Sequence, residues 1–153
     1  MRYMKAVLFA VIAIAVTCSF STEATAQQKK KKKEKPRTEA TLENTYWRLY
    51  EMDGKLVETP ADAREVYIKL TEKKSLLEGY AGCNIITGNY ELGKETLTFE
   101  PSLTERLCDD MTTENYVINA LTKANRHELN GLHLLLYQGT YLLAIFEAKY
   151  YEE

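Results

Sequence analysis

Short segments in which apolar and polar residues alternate fill the chain from Thr45 onward, and this pattern limits the fold more than any other feature. Alternation with a period of two is typical of strands that bury one face. The eleven tyrosines also suit strands better than a helical bundle. The predicted strands are Thr45–Met52, Val66–Leu70, Leu76–Ala81, Asn89–Glu91, Leu97–Phe99, His127–Leu129, Leu132–Tyr137 and Tyr141–Phe146.

Glycine, proline and asparagine mark the connections between these strands. Asn130-Gly131 is the strongest hairpin signal, and turns are also predicted at Asp53-Gly54 and Gln138-Gly139. The segment Gly82–Gly88 is predicted to be one tight connection, and Pro101 is predicted to end its strand. The folded domain is predicted to span residues 41–153.

One helix is predicted, over Thr113–Asn125, where the apolar residues recur at helical spacing and form a single stripe. Asp109 and Asp110, with Thr112 and Thr113, are predicted to cap its first turn. About eight short strands with one or two helices predict a mainly β, α+β domain: a small antiparallel, barrel-like sheet with a helix packed on it. A doubly wound parallel sheet is excluded, because the chain lacks the helices it would need.

Residues 1–26 have the order of a secretory signal peptide. Arg2 and Lys5 precede an apolar run over residues 6–16, and small residues follow at positions 24–26. The run of 11 residues would be roughly 16 Å long as a helix, which is too short for a bilayer core of about 30 Å. We therefore predict export to the periplasm or the medium, with cleavage after Ala26.

A second interpretation of this segment is lipidation at Cys18, which would make the protein an outer-membrane lipoprotein. A lipidated cysteine usually follows Leu at the third position before it and Gly or Ala directly before it. Here these positions hold Ala15 and Thr17, so soluble release is the preferred prediction.

A strongly basic arm follows the predicted cleavage site. Residues 27–40 carry seven basic and two acidic residues, a net charge of +5, whereas residues 41–153 carry 11 basic and 19 acidic residues, a net charge of −8. Such a block of like charge predicts a disordered linker. It acts either as a solubilising spacer or as a tether to an anionic envelope surface, and nucleic-acid binding is not expected. The basic residues of the arm are Lys29, Lys30, Lys31, Lys32, Lys33, Lys35 and Arg37.

Removal of the signal peptide would take Cys18 away and leave two of the three cysteines, Cys83 and Cys108. This pair is predicted to form a disulfide bond, because an exported chain with an even number of cysteines is the usual setting for one. A bond between them would close a loop of about 25 residues, which stabilises a domain by roughly 3–3.5 kcal/mol on the chain-entropy estimate. A thiol–disulfide enzyme is the alternative, although the C-x-x-C spacing of such enzymes is absent from the sequence.

No metal site, cofactor or catalytic residue is predicted. If Asn130-Gly131 is a two-residue turn, then Glu128 lies opposite His133, and His127 and His133 point to opposite faces of the hairpin. The sequence has no G-x-S-x-G, phosphate-binding loop or H-E-x-x-H motif. Asp109 and Asp110 could serve as acid–base groups, but helix capping is the preferred interpretation.

The segment from Trp47 to Phe146 resembles the META domain of HslJ-like bacterial envelope proteins. The most specific piece is Gly82-Cys83-Asn84, which follows Gly79 and precedes a Gly-x-Tyr pattern. The residues that carry the resemblance are Trp47, Gly79, Gly82, Cys83, Asn84, Gly88, Tyr90, Thr104 and Cys108. Of these, Gly79 and Gly82 are expected to permit close backbone approach, Cys83 to anchor the strand end, and Asn84 to hydrogen-bond the turn backbone. Two features depart from the family pattern: Arg106 stands where the family usually has Met, and the basic arm lies outside that pattern.

The resemblance implies a small barrel-like β domain with helices, exported in bacteria, without a known catalytic activity or an agreed ligand. We therefore expect a non-catalytic, monomeric envelope protein that acts in stress tolerance or envelope integrity by binding a protein or a small ligand. The alternatives are an envelope enzyme, either a hydrolase or a thiol–disulfide enzyme, and an adaptor anchored through the basic arm.

Overall fold

The computed structural model describes residues 37–151, which contain nine strands and one helix. The predicted signal peptide, Cys18 and the lysines of the basic arm lie outside these residues. The elements are β1 (Tyr46–Met52), β2 (Lys55–Leu56), β3 (Tyr67–Thr71), β4 (Leu76–Tyr80), β5 (Ile85–Leu92), β6 (Leu97–Leu103), α1 (Thr112–Lys123), β7 (Arg126–Asn130), β8 (His133–Gln138) and β9 (Tyr141–Lys149). Within the described residues, no helix is long and apolar enough to cross a lipid bilayer.

The strands form one antiparallel sheet in the order β6-β5-β4-β3-β1-β9-β8-β7, with β2 paired to β1. The sheet curls into a half-barrel, so the segments beside its two end strands come together. Leu97 N donates a hydrogen bond to Asn125 O at 3.4 Å, and His127 N donates one to Glu95 O at 3.1 Å. The predicted class, an antiparallel barrel-like sheet with a packed helix, is confirmed.

The core lies between the inner face of the sheet and the helix. Alternate residues of the strands point inward, as Trp47 and Leu49 do on β1 and Leu134 and Leu136 do on β8. Helix α1 closes one side by packing against β6, β8 and β9. The side chains that fill the interior include Trp47, Leu49, Ile68, Leu70, Leu77, Ile86, Leu97, Val117, Leu121, Leu134, Leu136 and Phe146.

The helix begins one residue earlier and ends two residues earlier than predicted. Met111 occupies the N-cap position and makes no side-chain capping bond there. The carboxylate of Asp110 instead accepts a hydrogen bond from the amide of Thr112 at 2.8 Å. Asp110 therefore caps a free amide of the first turn, as predicted, whereas Thr112 and Thr113 lie within the helix.

The predicted boundaries at Gly88 and Pro101 are wrong, and the pairing of these two residues explains both errors. Since β5 begins at Ile85 and includes Gly88, the connection before it is only Ala81–Asn84. Pro101 does not end β6; it lies within this end strand of the sheet, paired with Gly88. Proline lacks an amide hydrogen and is tolerated on such a strand. A side chain at position 88 would put its Cβ 2.2 Å from Glu100 O, so the two strands approach closely here.

The β7–β8 hairpin has a register two positions away from the predicted one. Asn130 pairs with His133, so the loop residues are Gly131 and Leu132 rather than Asn130 and Gly131. The β8–β9 turn is displaced in the same way, because Gln138 pairs with Tyr141 and the loop begins at Gly139. The Asp53-Gly54 turn is as predicted, with both residues at positive φ.

Candidate functional site

The predicted cysteine pair lies where the β4–β5 connection meets the segment that leads into α1. The sulfur atoms of Cys83 and Cys108 are 2.02 Å apart and the two Cα atoms 6.1 Å apart, so the pair is at disulfide distance. Cys83 is buried and Cys108 is half-buried. The bond therefore ties the connection to an otherwise exposed segment, residues 104–107.

Asn84 is a buried hub of hydrogen bonds rather than a residue that stabilises only its own turn. Its side-chain oxygen accepts bonds from the amide of Arg106 and the hydroxyl of Thr104, both at 2.8 Å. Its side-chain amide donates to Arg106 O and to Glu114, both at 3.0 Å. This explains the position of Thr104 in the motif, and it involves only backbone atoms of Arg106. The departure from the family pattern at position 106 therefore leaves this network intact.

Glu114 completes this network from the first turn of α1. Its carboxylate accepts a hydrogen bond from the backbone amide of Asn84 at 2.6 Å as well as the bond from the Asn84 side chain. Glu114 is 4% exposed, an unusual place for a carboxylate. The sequence alone does not indicate this pairing, because Asn84 and Glu114 are 30 residues apart.

The motif glycines have different structural reasons. At Gly79, a Cβ would lie 2.4 Å from Tyr67 O, so the predicted close backbone approach is present. At Gly82, the nearest heavy atom would be 3.6 Å away, and the constraint is the backbone angle φ of +114°. The expectation of close approach at Gly82 is therefore wrong.

The two remaining motif residues, Trp47 and Tyr90, hold the segment before β1. The ring nitrogen of Trp47 donates to Leu42 O at 2.8 Å, and the Tyr90 hydroxyl donates to the carboxylate of Glu43. Burial and this carboxylate raise the pKa of Tyr90. All the motif residues thus serve packing, backbone geometry or buried hydrogen bonds.

The histidines lie on opposite faces of the β7–β8 hairpin, as predicted. His127 lies opposite Leu136 on the core side, whereas His133 lies opposite Glu147 on the outer side, 4.7 Å from the ring of Tyr50. Among residues 37–151, no group of three His, Cys, Asp or Glu side chains is placed to hold a metal ion.

Asp109 and Asp110 are both exposed at the start of the helix. The hydrogen bond from Thr112 holds the pKa of Asp110 below its usual value. A general acid at neutral pH needs the opposite shift.

A surface cleft of about 320 Å³ opens between the β1–β2 turn, α1 and β9. β1 contributes Glu51, and the β1–β2 turn contributes Asp53 and Gly54. The helix contributes Tyr116 and Asn119, and β9 contributes residues 141–145. Sequence reasoning missed this site, although it placed the turn and the helix stripe correctly, because the cleft forms only when these elements and β9 meet.

Tyr116 forms the base of the cleft by linking two of its walls. Its hydroxyl donates a hydrogen bond to Leu143 O on β9 and accepts one from the amide of Asp53 at 3.4 Å. Burial raises the pKa of Tyr116, and the negative charges of Asp53 and Glu51 add to this effect. The Tyr116 hydroxyl therefore links the turn to β9, and the carboxylates of Asp53 and Glu51 both line the cleft.

Beside the rigid base, the cleft has an exposed apolar rim. Tyr141 is 72% exposed and Leu142 is 38% exposed, and both lie at the start of β9. Large apolar side chains that remain exposed at the edge of a concave surface are typical of binding sites. Of the features described, this cleft is the candidate functional site.

The curled sheet, the single described helix and the cysteine-linked connection define a small antiparallel β domain stabilised around a Gly-Cys-Asn motif. The chain belongs to the META domain family, whose model matches residues 40–150. This match confirms the resemblance that the motif residues indicated.

A solved structure supports the fold. The NMR structure of a protein from Burkholderia xenovorans is similar to this chain with a TM-score of 0.54 and 22% sequence identity, over 71% of this chain and 83% of that chain. At this identity the similarity concerns the fold alone. The comparison with curated proteins gave no match.

Proposed function

We propose that this protein is a non-catalytic META-domain protein of the bacterial cell envelope that supports stress tolerance or envelope integrity by binding a small ligand or a protein. The observation that carries the proposal is the cleft between the β1–β2 turn, α1 and β9, with Tyr141 and Leu142 exposed on its rim. Its volume of about 320 Å³ lies at the lower end of the range of small-molecule sites, roughly 300–1,000 Å³.

The role of the motif supports binding over catalysis. Asn84 and Glu114 are buried, and their polar atoms form hydrogen bonds with each other and with the backbone of Arg106. Asp110, a carboxylate that a hydrolase could use, is exposed and bonded to the helix start, and its pKa is lowered. Asn84, Glu114 and Asp110 therefore stabilise the fold, whereas residues that line the cleft expose side-chain surface to solvent.

The interior of the half-barrel is not the proposed binding site. Trp47, Phe146 and other large side chains fill the space between sheet and helix and are fully buried. A ligand inside the sheet, as in larger barrels, would have to displace this core. The ligand is therefore expected at the surface cleft.

Native mass spectrometry of the protein isolated from its own host tests the binding proposal. We expect a bound small molecule or a protein partner that is lost when Tyr141→Ala and Leu142→Ala are introduced together. The matched control is Leu107→Ala, because Leu107 is 96% exposed and does not line the cleft. Recovery of the protein without ligand or partner would contradict the proposal.

Export is part of the proposal and is supported by the signal-peptide pattern and by the cysteine pair at disulfide distance. The intact mass of the protein from its host tests it. We expect the mass of a chain that begins at Gln27, lower by the two thiol hydrogens of Cys83 and Cys108. A lipid adduct at Cys18 would place the protein on a membrane instead, and a mass that includes residues 1–26 would contradict export.

The charge distribution favours one second candidate, an adaptor held to an anionic surface by the basic arm. The arm has a net charge of +5 and residues 41–153 have −8, so an anionic surface would attract the arm and repel the domain. The expected result is binding to anionic vesicles that is lost at high salt and after changing the arm lysines to Gln. Binding that persists at high salt would contradict this role.

A further inference from the structure

We propose that the cleft between the β1–β2 turn, α1 and β9 binds an alkylammonium group, a positively charged amine on a short apolar chain. This inference rests on the proposed function and specifies its ligand class. The same chemistry is found in a free alkylamine and in a lysine side chain.

Two carboxylates give the cleft its charge. Glu51 is half-buried on β1, and Asp53 is exposed at the first position of the turn. The residues that line the cleft include no lysine, arginine or histidine. Within residues 37–151, neither carboxylate forms a salt bridge with another described residue. A cation that enters the cleft therefore meets two acceptors that it does not have to share with a basic side chain of the lining.

Two aromatic rings add a second attraction for a cation. Tyr116 lies at the base of the cleft and Tyr141 on its rim. An ammonium near the face of a tyrosine ring is attracted by the electron density of the ring. Since the Tyr116 hydroxyl is bonded to Leu143 O and to Asp53 N, its ring is held in place before a ligand arrives.

Apolar side chains beside the charged end explain why the ligand should carry an alkyl chain. Leu142 and Ile145 line the cleft on β9, and Leu142 is 38% exposed. A fully hydrated metal ion would leave this surface uncovered. An alkylammonium would cover it while the amine faces the carboxylates, and each methylene that it buries there would add to the affinity.

Three probes of similar size test the charge requirement: hexylamine, hexanol and hexanoate. We expect hexylamine to shift the amide resonances of residues 51–54 and 141–145 in two-dimensional NMR of the isotope-labelled protein. Hexanol and hexanoate should bind at least about fivefold more weakly, because neither carries the positive charge that the carboxylates attract. A fivefold change in affinity corresponds to about 1 kcal/mol. Nα-acetyl-lysine methylamide is a fourth probe, and its affinity relative to hexylamine distinguishes a lysine side chain from a free amine.

Glu51→Gln and Asp53→Asn remove one charge each with little change in shape. Asn also tolerates the left-handed backbone of Asp53, whose φ is +52°, so this variant is expected to keep the turn. Each change should weaken hexylamine binding about threefold, the size expected for one partly exposed charge pair. The matched control is Glu91→Gln, an exposed carboxylate on β5, which does not line the cleft.

The outcomes separate this inference from the proposed function. If hexanol or hexanoate shifts the same resonances as strongly as hexylamine, the ligand class is wrong, although the cleft still binds. If both charge variants bind hexylamine like the control, the carboxylates have no part in binding and the inference is overturned. If no probe shifts the cleft resonances, the inference is also overturned, while the native mass measurement decides the proposed function independently.

Discussion

The carboxylate of Glu114 accepts two hydrogen bonds from Asn84, one from its backbone amide at 2.6 Å and one from its side chain at 3.0 Å. The two residues are 30 positions apart and both are buried. The pair connects the first turn of the helix to the motif connection beside Cys83. The same connection is tied to the segment before the helix by the cysteine pair, so two independent links hold this corner of the domain.

Glu114→Gln is expected to destabilise the protein by about 2–3 kcal/mol. The new side-chain NH₂ group would face an N–H donor of Asn84, leaving buried donors without an acceptor. Urea denaturation at pH 7 measures the loss in the free energy of unfolding. Glu105→Gln, at an exposed position near the same segment, should change it by less than about 0.5 kcal/mol. Equal stability of the two variants would show that the Asn84 pairing contributes little.

Reduction of the cysteine pair should lower the free energy of unfolding by about 3 kcal/mol, since the sequence separation is 25 residues. Denaturation curves with and without a phosphine reductant measure the difference. The double variant with Cys83→Ala and Cys108→Ala should show a similar loss and no further response to the reductant. A reductant effect of the same size in the double variant would mean that the loss has another source.

Gly88→Ala is expected to destabilise the protein by more than about 3 kcal/mol or to prevent folding. The added Cβ would lie 2.2 Å from Glu100 O, at a backbone φ of +153° that side chains rarely adopt. Gly139→Asn is the matched control, because Gly139 has φ +60° and nothing within 4 Å of an added Cβ. Its cost should stay below about 1 kcal/mol. Thermal unfolding of both variants measures the contrast, and similar midpoints would contradict close β5–β6 packing.

His127 should make the protein less stable as the pH falls below about 6.5. Burial lowers the pKa of His127 from its ordinary value of 6.5, and its Nδ1 atom has no hydrogen-bond partner. Between the lowered pKa and 6.5 the unfolded chain binds the proton and the folded one does not. The stabilisation is therefore present above 6.5 and lost as the pH falls through this interval.

Urea denaturation between pH 5 and pH 8 measures this dependence. The difference in the free energy of unfolding between the protein and its His127→Gln variant isolates the contribution of this histidine. The difference should change in favour of the variant toward pH 5. Parallel curves for the two proteins would show that His127 titrates alike in the folded and unfolded states.

The alternation of apolar residues predicted most of the strands because each strand buries one face against a single core. Trp47, Leu49, Leu134 and Leu136 all point inward, as their spacing indicates. The hairpin register was wrong by two positions, since the loop begins at Gly131 and only this residue of the loop has positive φ. A register shift of two positions keeps every side chain on the same face of the sheet. The prediction that His127 and His133 lie on opposite faces is therefore correct.

The remaining errors concern contacts between segments that are distant in the sequence. Gly88 and Pro101 resemble strand breakers when each is considered alone, and they fit within strands because they lie opposite each other. Glu114 and the cleft residues Glu51 and Tyr116 depend on partners that only the assembled sheet and helix bring together. Local patterns therefore predicted the elements, the cysteine pair and the family, but not the candidate site.

The position of β1 between β3 and β9 has a consequence for the order of assembly. Tyr46 pairs with Lys69 on one side and with Lys149 on the other, so the first strand of the described residues is completed by the last one. The two meanders that flank it, β3 to β6 and β7 to β9, can form from neighbouring segments alone. Joining them requires nearly the whole domain to be available at once, which predicts slow folding and a first strand that stays unpaired until β9 is available.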